Sequence, residues 1–119
     1  MKDFYGGFIS EPTITAESNG TFIKFSSGFA IFMGTVKNTN SNYSQKGNIR
    51  VSDNVGLDIS NLHLKSVLGV SVSKMNFANN CGVYGTQYDT DNVYVNFFRG
   101  DQATMENASA SVIVFGLWK

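Results

Sequence analysis

The chain has 119 residues, 42% of them hydrophobic and 15% charged, with nine basic side chains balancing nine acidic ones. That length fits one domain, and the composition is too apolar and too weakly charged for intrinsic disorder. No Lys/Arg run exists to neutralise a phosphate backbone or an anionic membrane, so the sequence reads as binding no nucleic acid and inserting in no membrane.

The N-terminal "MKDFYGGFISEP" has no apolar segment behind its lysine, and no stretch approaches the roughly 20 apolar residues of a membrane span. The reading is a protein made in the cytoplasm without a signal peptide. Cys81, the single cysteine, leaves no intrachain disulfide and no multi-cysteine zinc site. It reads as a small core or loop residue, with no neighbouring cation to lower its thiol pKa. The triplets at Asn19, Asn42 and Asn107 look like glycosylation acceptors but read as turn chemistry in so Asn- and Ser-rich a chain.

The pair Asn-Gly in "ITAESNGTFIKF" predicts a hairpin with Asn19 and Gly20 at its tip, because these residues take the positive φ angles of a type I′ turn. A second turn at Ser26, Ser27 and Gly28 leads into "FAIFMGTV", so the first third reads as a meander of about three strands. The polar, aperiodic stretch from Lys37 to Asn48 reads as a loop. "IRVSDNVGLDISNLHL" fits two readings: Ile49 and Val51 suggest a short strand, while Val55, Ile59 and Leu62 also fit helical spacing.

"SVLGVSVSKMNF" alternates, with Leu68, Val70 and Val72 opposite Gly69, Ser71 and Ser73, as in a half-buried strand. "NNCGVYGTQYDTDN" has the composition of an exposed, ordered loop or short hairpin. "VYVNFF" alternates again, and the terminal "ASVIVFGLWK" is β-branched and aromatic on both faces. Short strand-like segments punctuated by turns predict an all-β protein, a small antiparallel β-sandwich or barrel.

The apolar residues exceed what one such core needs. In "FAIFMGTV" Phe29, Ile31 and Met33 share one face and Phe32 the other. In the last segment Val112 and Val114 oppose Ile113, Phe115 and Leu117. A two-layer sandwich needs one inward face per strand. The surplus face implies either a homo-oligomer or a tightly rolled core with a few exposed aromatics.

Motifs for catalysis are absent from the sequence. His63 stands alone, "GVSVS" lacks the last glycine of a nucleophile elbow, and neither H-x-x-x-H nor C-x-x-C occurs. His63 reads as a surface residue. "YDTDN" echoes the start of a calcium loop without its glycine and distal glutamate, and reads as a solvated turn. Asp53, Asp58, Asp89 and Asp91 are the acids from which a glycosidase pair would be drawn, and sequence does not give their separation. The expectation is no enzyme, no cofactor and no metal. The most informative set is aromatic: Tyr84, Tyr88, Tyr43 and Trp118 offer faces on which sugar C–H groups stack, and Asn80, Asp89, Asp91 and Asn92 offer partners for hydroxyls.

"NGTFIKFSSGFAIFMGTV" resembles the opening of the C-terminal tail-fibre domain of tailed bacteriophages, where an NG-x-I-K-x-x-x-G hairpin leads into a strand ending before a glycine. The matching residues are Asn19, Gly20, Ile23, Lys24, Gly28 and Gly34. Segments like "SVLGVSV", "NVYVNFF" and "ASVIVFGLWK" complete that domain, so the resemblance spans residues 19–119. Residues 1–18 then form an N-terminal segment with the first strand, at a connection to an upstream fibre shaft. Met33 stands where the family commonly has Trp, and "NLHLKSVLGV" lacks the family's proline-containing segment.

The resemblance implies a homotrimeric receptor-binding tip on the virion tail, of phage or prophage origin, attaching to a bacterial host through a cell-surface glycan or teichoic-type polymer. A free-standing carbohydrate-binding module or adhesin domain, and a structural virion component that binds no cell, are the alternatives.

Overall fold

The computed structural model describes residues 11–38, 43–74, 81–100 and 108–119, apart from the side chains of Lys74 and Cys81. Asn42, Asn80 and Asn107 lie outside the described residues, as do most of the N-terminal segment and the Cys81 side chain. Ten strands occur among the described residues: β1 (Thr13–Glu17), β2 (Gly20–Lys24), β3 (Phe29–Asn38), β4 (Tyr43–Lys46), β5 (Ile49–Ser52), β6 (Val55–Asp58), β7 (Ser66–Lys74), β8 (Cys81–Tyr88), β9 (Asn92–Arg99) and β10 (Ala108–Leu117). They form two antiparallel sheets packed as a small β-sandwich. The first runs β1-β2-β3-β10-β7; the second runs β4-β5-β9-β6, with β8 also paired to β9.

Alternation decides which side chains enter the core. Along β10, Ala108, Ala110, Val112 and Val114 are buried, and along β9, Val93, Val95 and Phe97 are buried, each separated by half-exposed residues. Phe22, Phe32 and Val36 join them from β2 and β3, and Leu57, Ile59, Leu62 and Leu64 from β6 and the segment after it. The core mixes the small Ala108 and Ala110 with the fully buried rings of Phe32 and Phe97, as facing positions that must interdigitate require.

The meander at the start is present, displaced by one residue from its predicted turn. Glu17 pairs with Gly20, so the tip is Ser18–Asn19 and Gly20 opens β2. Gly20 serves close approach: it pairs with Gly34, and a Cβ there would stand 2.2 Å from the Met33 carbonyl oxygen. Gly28 takes a positive φ of 105° in the second turn, as expected.

The predicted loop at Lys37–Asn48 is partly regular. β3 continues to Asn38, and Tyr43–Lys46 pairs with Ile49–Ser52 around the turn at Gly47 and Asn48. A polar hairpin on a sheet edge carries no hydrophobic period, which hides it from sequence. The ambiguous segment resolves as β5, β6 and a single 3-10 turn at Ser60–Leu62. In β7 a register shift opposite Phe115/Gly116 leaves Leu68 unpaired between Val67 and Gly69. Leu68 is therefore 57% exposed and departs from the predicted alternation.

The outer side of the first sheet is apolar as well. Register places Ile14, Ile23, Ile31 and Phe115 in one row across β1, β2, β3 and β10. Met33 pairs with Ile113 and Phe29 with Leu117 in the flanking rows, and the rings of Phe29 and Phe115 stack at 6.4 Å. Ile14 and Met33 are exposed, and the other side chains in these rows are half-buried.

Candidate functional site

The second sheet contains an interruption that builds a cleft. β5 pairs with β9 as far as Val51↔Phe98, and β6 resumes at Val55↔Val95. Between them Ser52, Asp53 and Asn54 leave the ladder, and the buried Ser52 hydroxyl accepts the Phe97 N–H at 2.9 Å and donates to the Asp53 carbonyl at 2.9 Å. The side chain thus replaces a lost rung, as a buried backbone donor demands.

On the facing strand, β8 shifts register between Val83 and Gly85. This bulge leaves Tyr84 as the extra residue, 52% exposed. Bulges of this kind re-aim a side chain away from the ladder. Gly85 faces Asn96, where a Cβ would stand 3.1 Å from the Asn96 amide oxygen, and the Asn96 amide donates to Asn54 Oδ1 at 2.7 Å.

The resulting cleft has a volume of about 560 Å³. Tyr84, Thr86, Gln87 and Asn96 line it from β8 and β9, Ser44 and Lys46 from β4, and Val51, Asp53 and Asn54 from β5 and the interruption. Asn96 alternates with the inward Val95 and Phe97, so the cleft opens on the side of the sandwich away from the first sheet. Its chemistry is an exposed phenol ring among hydroxyls and amides, with one ammonium and one carboxylate. That mixture suits a neutral polyhydroxylated ligand: a ring to stack on and many short hydrogen-bonding arms.

The sequence-predicted residues do not converge on one place. Tyr84 is in the cleft. Tyr88, 46% exposed, lies at the far end of β8 beside the turn of Asp89, Asp91 and Asn92. There the Asp89 carboxylate accepts the N–H groups of Asp91 and Asn92 at 2.8 and 2.9 Å, and these bonds hold its pKa below the ordinary carboxylate value. Tyr43 is half-buried against the core, its hydroxyl accepting from the Asn38 amide at 3.2 Å. Trp118 is half-buried as well, its indole N–H donating to the Phe25 carbonyl at 2.8 Å. Asn80 lies outside the described residues.

The candidate acids are also separated in role. Asp53 lines the cleft, whereas Asp58 is held by the Ser60 hydroxyl at 2.6 Å and the Ser60 N–H at 2.9 Å, which lower its pKa. A general acid needs its pKa raised, so the depressed Asp58 and Asp89 have the opposite tuning. His63 is exposed at the end of the 3-10 turn.

Sequence reasoning missed Ser44, Lys46, Asn54, Thr86, Gln87 and Asn96, and named Asp53 only as a candidate acid. The available signals were the polar "SDN" breaking "IRV" from "VGL", and Asn96 set between apolar neighbours. Compared with known protein families, curated proteins and solved structures, the chain matches none.

Proposed function

We propose that the chain is the receptor-binding tip of a phage or prophage tail fibre, a non-catalytic homotrimer that attaches to a bacterial surface by binding a cell-surface saccharide. The observation that carries this reading is the division of labour between the two sheets. The first sheet bears an apolar outer face suited to contact with other copies, and the second bears a polar, tyrosine-bearing cleft directed the other way. Contiguous exposed apolar side chains on a sheet face, here with Ile14 and Met33 the most exposed, are the kind of surface that interaction sites use. The resemblance of Asn19–Gly34 to a tail-fibre domain supplies the biological setting, and fold alone does not fix it.

Mechanistically, each cleft contributes a weak contact: a sugar ring stacked on Tyr84 with hydroxyls shared among Asn54, Gln87 and Asn96. Three clefts on one tip, and several tips on one particle, raise the effective concentration so that avidity holds the particle to the cell. The cleft favours this reading over a purely structural virion component, and the apolar face favours it over a monomeric carbohydrate-binding module.

The test is staining of bacteria by a fluorescent fusion, with the parent beside Tyr84→Ala. The expected result is staining of a subset of strains that falls at least tenfold in the variant, at unchanged melting temperature. Failure to stain any strain in a broad panel of source-related bacteria contradicts the receptor role, and unchanged staining by Tyr84→Ala removes the cleft from it.

A further inference from the structure

The turn between β1 and β2 carries the one Asn-Gly pair in the chain, Asn19–Gly20. Such a pair is chemically labile. The backbone nitrogen of the glycine, with no side chain to hinder its approach, attacks the carbonyl carbon of the asparagine side chain: a Cγ–N bond forms, the Cγ–Nδ2 bond breaks and ammonia leaves. Water then opens the five-membered imide at either of its carbonyls, giving aspartate or isoaspartate with no oxidant or reductant.

The fold commits both reacting groups elsewhere. The Asn19 side-chain amide donates to the carbonyl of Asp58, the last residue of β6, and so ties the tip of a first-sheet hairpin to the second sheet. Its Oδ1 is buried without a hydrogen-bond partner. The peptide itself is wedged into the first sheet: Gly20 pairs with Glu17 on one side and Gly34 on the other, and a Cβ on Gly34 would stand 2.8 Å from the Asn19 carbonyl oxygen. A second tie, from the Asn61 amide to Glu17 Oε2 at 3.2 Å, joins the same hairpin to the 3-10 turn. Attack by Gly20 therefore requires the tip to leave Asp58 and the ladder together, which is a local opening.

We propose that Asn19 is a site of spontaneous deamidation that is shut in the folded chain and that, once converted, releases this clamp between the two sheets. Conversion replaces the amide by a carboxylate, which has no hydrogen to give the Asp58 carbonyl. It also sets negative charge where the buried Oδ1 already meets no donor, and a buried charge without a partner is costly. The isoaspartate product lengthens the main chain by one methylene, which displaces the pairing of Glu17 with Gly20. Loss of ammonia makes the step one-way, so converted chains accumulate with the time spent open. The inference stands on the hairpin alone, whether or not the Tyr84 cleft binds cells.

Trypsin cuts after Lys2 and after Lys24, and Asn19 is the only Asn or Gln between them, so the mass of that fragment reads this site alone. The full chain is held at mildly alkaline pH, in buffer and in concentrated guanidinium chloride, and the fragment is weighed over time for the exchange of NH2 for OH. The expected result is conversion at least tenfold faster in guanidinium than in buffer, with the product separating into aspartate and isoaspartate forms on reversed-phase chromatography. Asn19→Asp should keep the circular dichroism spectrum of the parent and melt at least about 3 °C below it, with Asn19→Ser, which loses the amide without gaining charge, in between. Should Asn19→Asp fail to fold, Asn19→Ser takes its place and must still melt below the parent. Equal rates in buffer and in guanidinium overturn the proposal; so does a fragment that stays intact in both, or a variant at Asn19 that melts with the parent.

Discussion

Phe32 and Met33 are chain neighbours with opposite fates: Phe32 has no exposed surface and Met33 is 41% exposed. Phe32→Ala removes a ring that lies over the paired glycines Gly20 and Gly34, where a Cβ on either would come within 2.8 Å of the ring. Glycines have no side chains to move into the vacated space. The cavity therefore stays open, and the cost belongs in the upper half of the about 3–5 kcal/mol typical of Phe→Ala. That is a large part of the about 5–15 kcal/mol that holds a domain folded. With a urea slope of about 1–3 kcal/mol per molar, the unfolding midpoint should fall by at least about 1 M. Within the single chain Met33→Ala should cost about 1 kcal/mol or less, as a partly exposed site does, any further loss being the concentration-dependent part that assembly contributes. Both variants are compared with the parent by circular dichroism at one protein concentration, since association adds a concentration-dependent term. Equal midpoints for the two variants would refute the assignment of inner and outer faces, and with it the argument for a surplus apolar face.

Acid should weaken the fold through Asp58 and Asp89. Hydrogen bonds from Ser60, and from Asp91 and Asn92, depress their pKa values. The unfolded chain then binds more protons, so this stabilisation is present above the unfolded value of about 4 and is lost as pH falls through the folded values. Melting temperatures measured from neutral pH downward should drop less steeply for a double Asp→Asn variant at these positions than for the parent, and parallel curves would contradict this. On the outer face of the first sheet, Phe115→Asp should leave the circular dichroism spectrum intact while shifting sedimentation to smaller species; an unshifted assembly would take that face out of the interface.

Alternation made the core legible in sequence where a strand has one wet and one dry side. Val93, Val95 and Phe97 are examples, because the period of two is imposed by the pleat, whereas the last strand is apolar on both faces and its inward side, Val112 and Val114, is settled only by the fold. The hairpin at Asn19 was legible from its turn chemistry, though the local signal for a type I′ tip yielded to the close pairing of Gly20 with Gly34. The β4–β5 hairpin was hidden because Tyr43–Lys46 is an edge strand whose side chains are mostly exposed. Of the candidate site, Tyr84 was legible as an exposed aromatic in a polar segment. The cleft around it was not, since Lys46, Asn54 and Asn96 meet only through strand pairing across long stretches of chain. Tyr43 and Trp118 look the same in sequence as ligand aromatics, but each has its polar atom committed inside the fold.

The most direct test of the account is the mass in solution, by light scattering on a size-exclusion column over a range of concentrations. The account predicts a stable species of three times the 13.0 kDa chain, with the outer rows of Ile31, Ile113 and Phe115 at the contact. A chain that stays monomeric at every concentration would contradict it and leave the Tyr84 cleft as the single site of a free-standing module.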